Sequence, residues 1–347
     1  MSDLQNHLPL PVPPSGVLEE PGTRQGHVLP LPPAPAEPIV VKQPRRHLLP
    51  RLHRVATRLA FLLLALVLLL TAGSLSLRWV NPPTTMFMHE DEYVVTYMFV
   101  PLSDVSPNLV AAAIAHEDPA QDLRTVQVTD HGRLVGTYKR PPTQGFLGRT
   151  GGTDWERLAV RIKWTRAYGR DVGGSTTIEQ QTVKNLFLTA DRAPWRKAFV
   201  EPVVADVYGF VVPKRRQIEL YLNIAEFGPG IFGACAASWY YFNKSPSRLT
   251  EAEAVDLVAV LPMPKLFRAD IHGGVLPLRA PAGSTYSPRL LLEYARLAVP
   301  AQIRTDRTLQ RLAAAGLMPG APTGSCSRMP AGVARTLNQG PVLRHRS

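Results

Sequence analysis

The chain has 347 residues, which is enough for one large domain or two small ones. It contains 39 Lys and Arg against 27 Asp and Glu, a formal net charge of +12. Such a charge suits nucleic acid, anionic lipid or a phosphorylated substrate, and charge alone does not choose among them. The only two cysteines, Cys235 and Cys326, exclude a disulfide framework and a thiol-based zinc cluster but leave one disulfide open.

The N-terminal region divides into a polar tail and an apolar segment. Residues 1–50 hold 12 of the 34 prolines and no helical apolar periodicity, so residues 1–54 are predicted to be a disordered tail. The stretch from Leu59 to Leu77 has no charged residue and, as a helix, would extend about 28 Å, close to the thickness of a hydrocarbon core. Residues 55–80 are therefore predicted to form an uncleaved transmembrane anchor.

The charges on either side of the anchor predict its orientation. Six cations lie before it: Lys42, Arg45, Arg46, Arg51, Arg54 and Arg58. After the anchor come Arg78 and then the acidic run Glu90-Asp91-Glu92. The positive-inside rule places the N-terminus in the cytoplasm and everything after Arg78 outside the inner membrane.

Most of the stretch 104–265 is predicted to be helical because helix-starting patterns recur in it. Ser106-Pro107 is typical of an N-cap followed by a first-turn proline, and Pro194 and Pro213 are expected to open further helices. Capping boxes are predicted at Thr153–Glu156, Thr176–Glu179 and Thr250–Glu253. One more helix is expected at Pro288–Leu297.

Two segments lack this helical pattern. Residues 119–152 combine Gly, Pro and Thr with short alternating runs, which predicts an inserted loop or hairpin. Residues 301–347 are rich in Pro, Gly and Arg, which predicts a C-terminal tail.

Several ordered motifs coincide with the predicted helix ends and faces. They are Glu117-Asp118, GGSTTIEQQTVKN from Gly173, RKAFVE from Arg196, KRRQIELYLN from Lys214, and AEFGPGIFGACAASWYYF from Ala225. Together these motifs resemble family 51 peptidoglycan glycosyltransferases over roughly residues 55–300. Five motifs in the same order are far more specific than any one of them.

The resemblance places Glu117 at the catalytic base and Asp118 among the substrate-binding residues. A carboxylate can accept a proton from a reacting hydroxyl, which is the chemistry that a general base needs. Without the surrounding motifs, a Glu-Asp pair at a helix end is usually solvated surface. With them, the catalytic interpretation is favoured.

The second motif supplies predicted substrate contacts. Aligned from Gln180-Gln181 backward, Thr177 takes the Thr position of the family's Gly-Gly-Ser-Thr-Ile-Thr-Gln-Gln. Thr177, Gln181 and Lys184 would share one helix face, a row of donors suited to sugar hydroxyls and pyrophosphate oxygens. Thr176 and Glu179 are interpreted as a capping box.

The third and fourth motifs supply charges for the leaving group. Arg196 and Lys197 are predicted to hold a diphosphate together with Lys184 and Lys214, since negative charge builds there in the transition state. Glu201 lies one residue later than the family pattern, which indicates a one-residue insertion. The resemblance gives Glu201 a catalytic role, orienting or balancing these cations.

The main departure from the family follows Glu117. The family has a Phe three residues after its Asp and a His three residues later, and here these positions are Gln121 and Arg124. An insertion of about two dozen residues, within 119–152, is therefore predicted beside the site, followed by Gly152-Thr153-Asp154.

The resemblance implies a mainly α, lysozyme-like, two-lobed domain over 81–300. It implies that lipid II is joined to a growing glycan strand at the inner membrane, with inversion at the sugar and release of undecaprenyl diphosphate. A divalent cation, Mg²⁺ or Mn²⁺, is open as a cofactor, and the sequence has no ligand cluster that requires one. The expected partners are lipid II, the glycan strand and membrane lipid; transpeptidases and other cell-wall synthesis proteins are open, and nucleic acid is not expected.

Two other functions remain open at this point. A lysozyme-like enzyme that cuts the same glycan also needs an acidic residue, but the cationic motifs aimed at a diphosphate argue against it. A catalytically weak scaffold that binds lipid II or cell-wall partners is kept open by the insertion. The chain has no Ser-x-x-Lys or Lys-Thr-Gly, so a transpeptidase domain is not expected.

Overall fold

Helices make up most of the residues that a computed structural model describes, which are 48–120, 124–130, 133–169, 176–188, 200–269, 275–277 and 307–344. The helices are α1 (Leu48–Ser76), α2 (Met86–Glu90), α3 (Pro107–Glu117), α4 (Gly145–Gly148), α5 (Trp155–Tyr168), α6 (Ile178–Phe187), α7 (Glu201–Val211), α8 (Lys214–Ile224), α9 (Gly233–Phe242), α10 (Glu251–Val260) and α11 (Ala331–Gln339). A further helical stretch covers 307–314. The mainly helical fold predicted from the sequence is confirmed.

Helix α1 carries the predicted anchor. Its part His53–Ser76 is long and apolar enough to cross a membrane, and its side chains are almost all exposed. The helix begins at Leu48, so residues 48–54 belong to it rather than to a disordered tail. Residues 1–47 of that predicted tail lie outside the described residues.

Helix α3 is the central helix of the larger hydrophobic cluster. Ser106 caps it by accepting a hydrogen bond from the Asn108 amide, and Pro107 occupies its first turn, as predicted. Every side chain from Leu109 to Ala115 is buried, which is typical of a helix enclosed on all sides. Helices α8, α9 and α10 contribute to the same cluster.

A second hydrophobic cluster lies between helices α6, α7 and α8. Val183, Val204 and Leu220 are buried in it, together with Leu77 just after the anchor and Met88 of α2. Most buried apolar side chains of the domain thus form two separate hydrophobic clusters.

Short strands complete the fold. β1 (Thr96–Tyr97) pairs parallel with β5 (Ile231–Phe232), which pairs antiparallel with β4 (Glu226–Gly228), giving the order β1-β5-β4. β6 (Phe267–Ala269) and β7 (Val275–Pro277) form a separate antiparallel pair.

The segment after α3 contains a β-hairpin, one of its two predicted forms. β2 (Arg124–Asp130) pairs antiparallel with β3 (Arg133–Arg140), and a bulge interrupts the pairing between Val128 and Thr129. Tyr138 of β3 lies against Trp164 of α5, with ring centroids 5.9 Å apart. The hairpin therefore rests on α5.

The two ends of this inserted segment meet in space. Gly145 has a φ of +66°, and a Cβ on it would lie 2.4 Å from the backbone nitrogen of Ala120. A glycine is required here because the backbone is left-handed and the contact is too close for a side chain. The insertion thus lies between Ala120 and Gly145, which agrees with the predicted length of about two dozen residues and narrows the predicted segment 119–152.

The assignment of the family's Phe and His positions to Gln121 and Arg124 is corrected by the same geometry. The Phe146 amide donates to the Asp118 carbonyl at 2.9 Å, and the Phe146 side chain is fully buried. Arg149, three residues later, contacts the Asp118 carboxylate. Phe146 and Arg149 have the family's spacing of three residues and both contact Asp118, so they match the two family positions better than Gln121 and Arg124 do.

The C-terminal region is not the predicted tail. Leu312, Cys326 and Val333 are buried in the larger cluster, and Cys326 forms a disulfide with Cys235 of α9. Residues 307–344, named here the C-terminal segment, therefore belong to the folded domain. The predicted helix at 288–297 and residues 301–306 lie outside the described residues.

Of the three predicted capping boxes, one forms as predicted, one forms in a different register, and one is replaced by a simple aspartate cap. Thr250 and Glu253 form the predicted box at the start of α10. Helix α5 is capped by Asp154 rather than Thr153, and α6 by Thr177 with Gln180 rather than by Thr176 with Glu179. Glu179 therefore lies in the first turn of α6, where its carboxylate contacts Arg149 and Lys214.

Candidate active site

Glu117 is the last residue of the central helix α3. The helix ends there because Asp118 adopts a non-helical backbone (φ −144°, ψ 56°) while its amide still donates to the Ile114 carbonyl. The Glu117 side chain is 12% exposed. A rigid, buried helix thus presents one carboxylate at its end.

Gln181 of α6 holds this carboxylate. Its Nε2 donates to Glu117 Oε2 at 2.7 Å, and Nδ1 of His116 lies 3.0 Å from Oε1. The Tyr221 hydroxyl of α8 lies 3.4 Å from Gln181 Oε1. Burial, reinforced by the charges of Glu117 and Asp118, raises the pKa of Tyr221 well above its usual value, so its phenol stays a neutral donor.

Asp118, the neighbouring carboxylate, has a different environment. Arg149 donates to both of its oxygens, from Nη1 at 3.1 Å and from Nη2 at 2.5 Å. The Ile178 amide at the start of α6 also donates to Asp118 Oδ2, at 3.2 Å. Asp118 is therefore held within the protein, which fits a structural role better than the predicted substrate contact.

A buried charge network extends from this pair. Arg149 Nη2 also donates to Glu179 Oε2 at 2.6 Å, and Lys214 Nζ donates to Glu179 Oε1 at 2.5 Å. We call Asp118, Arg149, Glu179 and Lys214 the charge network. Its two carboxylates and two cations balance, which is what burial of charges requires.

Burial and charge compete within the network. Burial raises the pKa of Glu179 and lowers that of Lys214, while their attraction to each other opposes both changes. Burial alone would lower the pKa of Arg149, but its ion pairs with Asp118 and Glu179 raise it above the ordinary value. Arg149 is thus a permanent cation between two carboxylates.

The predicted row of donors on α6 is only partly formed. Thr177 is the N-cap: its hydroxyl donates to the Gly152 carbonyl at 2.5 Å and accepts from the Gln180 amide at 3.1 Å. Gln181 faces Glu117, and the Lys184 ammonium lies 5.1 Å from the centre of the Phe87 ring. The structure thus brings Gln181 to Glu117 and gives Thr177 a structural position.

The remaining predicted charges have separate positions. Glu201 opens α7 and is buried, and α7 packs against α6. The Lys214 ammonium lies 4.4 Å from the centre of the Phe146 ring in addition to its contact with Glu179. Arg196 and Lys197 lie outside the described residues.

Four residues of the site were not selected from the sequence: Arg149, Glu179, His116 and Tyr221. Glu179 was assigned to a capping box, and Arg149 lay in the presumed insertion. A usable signal was present: Phe146 and Arg149 keep the family's spacing of three residues between Phe and His.

A cavity of about 760 Å³ adjoins Asp118 and Arg149. Gln144 and Trp155 line it, as do Arg307 and Arg311 from the C-terminal segment. Among the described residues, no group of three or more His, Cys, Asp or Glu side chains could hold a metal ion.

Known proteins resemble this chain over the same region. A family model described as "Transglycosylase" matches residues 145–277, beginning where the inserted hairpin ends. The biosynthetic peptidoglycan transglycosylase of Chromobacterium violaceum is 35% identical over 196 residues, which cover 54% of this chain and 74% of that protein. The protein of the same name from Rhodospirillum centenum is 36% identical over 222 residues, 63% of this chain and 83% of that protein.

The fold, the buried carboxylate and these matches define a glycosyl-transferring enzyme with a membrane anchor. The chain belongs to the family of biosynthetic peptidoglycan transglycosylases. The recognition made from the sequence motifs is confirmed.

Proposed function

We propose that this protein polymerises lipid II into the glycan strands of peptidoglycan and releases undecaprenyl diphosphate, with Glu117 as the general base. The observation that carries the proposal is the Glu117 carboxylate at the end of α3, fixed at 2.7 Å by Gln181, which lies within the region 145–277 that matches the Transglycosylase model. Because the Glu117 carboxylate is already held in one orientation, no free energy has to be spent on orienting it during the reaction.

In the proposed reaction, Glu117 accepts the proton of the 4-hydroxyl of the acceptor's N-acetylglucosamine. The oxygen attacks C1 of the donor's N-acetylmuramic acid, and the bond from C1 to the diphosphate oxygen breaks with its electron pair. The configuration at C1 inverts from α to β. Glu117 is left protonated and undecaprenyl diphosphate departs.

Cations near the diphosphate would stabilise the charge that builds on it. Lys184, Arg196 and Lys197 are the proposed diphosphate contacts, with Glu201 balancing their charge. Lys214 is already engaged by Glu179 at 2.5 Å, so its proposed contribution is to order the site rather than to hold the substrate.

The test is polymerisation by the purified full-length protein with labelled lipid II in detergent. Replacing Glu117 with Gln keeps the shape and the Gln181 neighbour but removes the base, so the rate should fall roughly 10²–10⁴-fold. Glu92→Gln is the matched control: Glu92 is 58% exposed and lies outside the site, so its activity should equal that of the wild type. Full activity of the Glu117 variant would refute the assignment.

The proposal includes an orientation: an inner-membrane anchor with its N-terminus in the cytoplasm and the enzyme domain outside. The cationic flank before α1 supports it. The Cys235–Cys326 disulfide also supports it, because disulfides persist in oxidising compartments. Alkaline phosphatase fused after Ser347 should be active, and activity only of a cytoplasmic reporter at that position would overturn the orientation.

The proposed product also implies a partner class. Glycan strands require cross-linking, and the sequence has no transpeptidase motif. Transpeptidases and other cell-wall synthesis proteins are therefore the proposed partners that act on the product.

A further inference from the structure

Arg149 connects the two elements that carry the proposed base and its amide partner. One guanidinium donates to Asp118, which is adjacent to Glu117, and to Glu179, which lies two residues before Gln181 in α6. Asp118 additionally accepts a hydrogen bond from the Ile178 amide of α6. Arg149 thus forms one ionic contact next to Glu117 and another near Gln181, the two residues that the 2.7 Å hydrogen bond joins.

The burial of these groups makes the connection stiff. The Glu179 carboxylate is 0% exposed and the Arg149 side chain 9% exposed. A buried ion pair is screened little by solvent, and removing one partner leaves an uncompensated charge. Displacement of α6 from the end of α3 would therefore have to break charged hydrogen bonds within the protein interior.

Both residues differ from the family pattern quoted above. Arg149 stands where that pattern has His, and Glu179 stands where Gly-Gly-Ser-Thr-Ile-Thr-Gln-Gln has its second Thr. Here the two changes form a single ion pair with an N–O distance of 2.6 Å. Each charge is thus matched by the other at the same site.

We infer that Arg149 and Glu179 are a positioning pair that fixes Gln181 against Glu117, a role that rests on the proposed function of Glu117 as the base. Neither residue is required to touch the substrate. Their effect should therefore fall on the rate of the chemical step rather than on binding of lipid II.

The test is a double-mutant cycle of Arg149→His, Glu179→Thr and the double variant in the full-length protein. Each single change should lower kcat roughly 10–100-fold, because small displacements of reacting groups have effects of this size, while KM stays within about threefold. The double variant should be no slower than the slower single variant, since a pair that acts as a unit is broken only once. Its remaining charges, Asp118 and Lys214, balance, so it provides a readout even where a single variant fails to fold.

Lys244→Met is the matched control. Lys244 forms an ion pair with Glu253 that has the same N–O distance, 2.6 Å, outside the charge network. Its loss should leave kcat unchanged. Thermal unfolding of every variant shows whether the protein is folded at the assay temperature, so a lower kcat in a folded variant is not a loss of structure.

Three results would overturn the positioning role. They are wild-type kcat in either single variant, losses that multiply in the double variant, and a rise in KM alone. If the wild type itself makes no polymer, the proposed function fails, and the pair is judged by crystal structures of wild type and Glu179→Thr. An unchanged Glu117–Gln181 distance in the variant would then refute the positioning role, and a longer one would support it.

Discussion

Two adjacent carboxylates differ in what surrounds them. Glu117 is held by the neutral amide of Gln181, whereas Asp118 is bound by the guanidinium of Arg149. The Glu117 carboxylate thus contacts an uncharged donor, whereas the Asp118 carboxylate forms an ion pair with a buried cation. Both residues were selected from the sequence as candidate site residues. Their different surroundings could not be predicted, because Gln181 and Arg149 are distant from them along the chain.

Asp104, which lies outside the candidate site, is another carboxylate whose properties are set by the groups around it. It is 1% exposed, and it accepts hydrogen bonds from Thr323, Gly324 and Ser325 of the C-terminal segment. Burial alone would raise the pKa of Asp104, but these hydrogen bonds outweigh it and lower the pKa to about 2. Since the folded-state pKa lies below the unfolded value of about 3.9, this stabilisation is present above about pH 4 and is lost as the pH falls toward 2.

Asp104→Asn should therefore lower the free energy of unfolding by about 2–3 kcal/mol at pH 7, because several hydrogen bonds to a charged acceptor are lost. Urea unfolding of the full-length protein in detergent measures it. The difference from the wild type should shrink between pH 4 and pH 2. Thr323→Val, which removes one of the donors, should have a smaller effect, about 1 kcal/mol; equal stability of Asp104→Asn and wild type at pH 7 would contradict the prediction.

At the scale of elements, the sequence predicted that helices are present at α3 and α6. It did not predict which residue caps α6. The start of α3 was predicted because Pro107 is favoured at the first helical position, which indicates Ser106 as the cap. At α6, Thr176 and Thr177 are adjacent, and both are followed at the right distance by Glu179 or Gln180. The choice is made by tertiary contacts, since Glu179 is drawn to Arg149 and Lys214.

The boundaries of the insertion were likewise decided by tertiary structure. Phe146 and Arg149 lie 28 and 31 residues after Asp118, yet both contact it. The short alternating runs predicted a loop or a hairpin. These runs did not indicate that Gly145 is the residue at which the chain again lies next to Ala120.

Removal of the hairpin tests these boundaries. Replacing 121–144 with two glycines that join Ala120 to Gly145 should leave a folded domain, because the two ends already meet. Stability should fall by about 1–2 kcal/mol as Trp164 loses its contact with Tyr138. If the hairpin is a lid, KM or polymer length should change while activity still depends on Glu117.

The control deletion removes 121–152 instead. It takes away the fully buried Phe146 and leaves Asp118 and Glu179 without Arg149. Each of these losses costs about 3–5 kcal/mol, so this variant should not fold. Thermal unfolding followed by circular dichroism compares the two deletions, and equal stability would show that the boundaries are wrong.

At the scale of the molecule, the C-terminal segment could not have been predicted to pack. Its composition is rich in Pro, Gly and Arg, and its buried residues Leu312, Cys326 and Val333 are too far apart to form a helical or strand period. Its contacts also reach residues far away in sequence, such as Asp104 and, by the isolated bridge from Leu343, Tyr93. Two cysteines in a sequence permit a disulfide but do not specify one.

The disulfide should contribute measurably to the stability of the domain. It joins Cys235 in α9 to Cys326, 91 residues later, and closing a loop of this length restricts the unfolded chain. Cys326→Ala, or reduction of the wild type, should therefore lower the free energy of unfolding by about 2–4 kcal/mol. The variant should still fold, because Asp104 and the buried Leu312 and Val333 continue to hold the C-terminal segment.

Reductant separates the disulfide from the packing of the cysteine side chains. Dithiothreitol should lower the urea midpoint of the wild type and leave that of Cys326→Ala unchanged. Limited proteolysis should then cut the C-terminal segment faster in the reduced wild type and in the variant, since only noncovalent contacts hold it. Reductant could have no effect on the wild type while Cys326→Ala is destabilised. In that case the loss of stability comes from removing the packed Cys326 side chain, and the covalent link does not stabilise the fold.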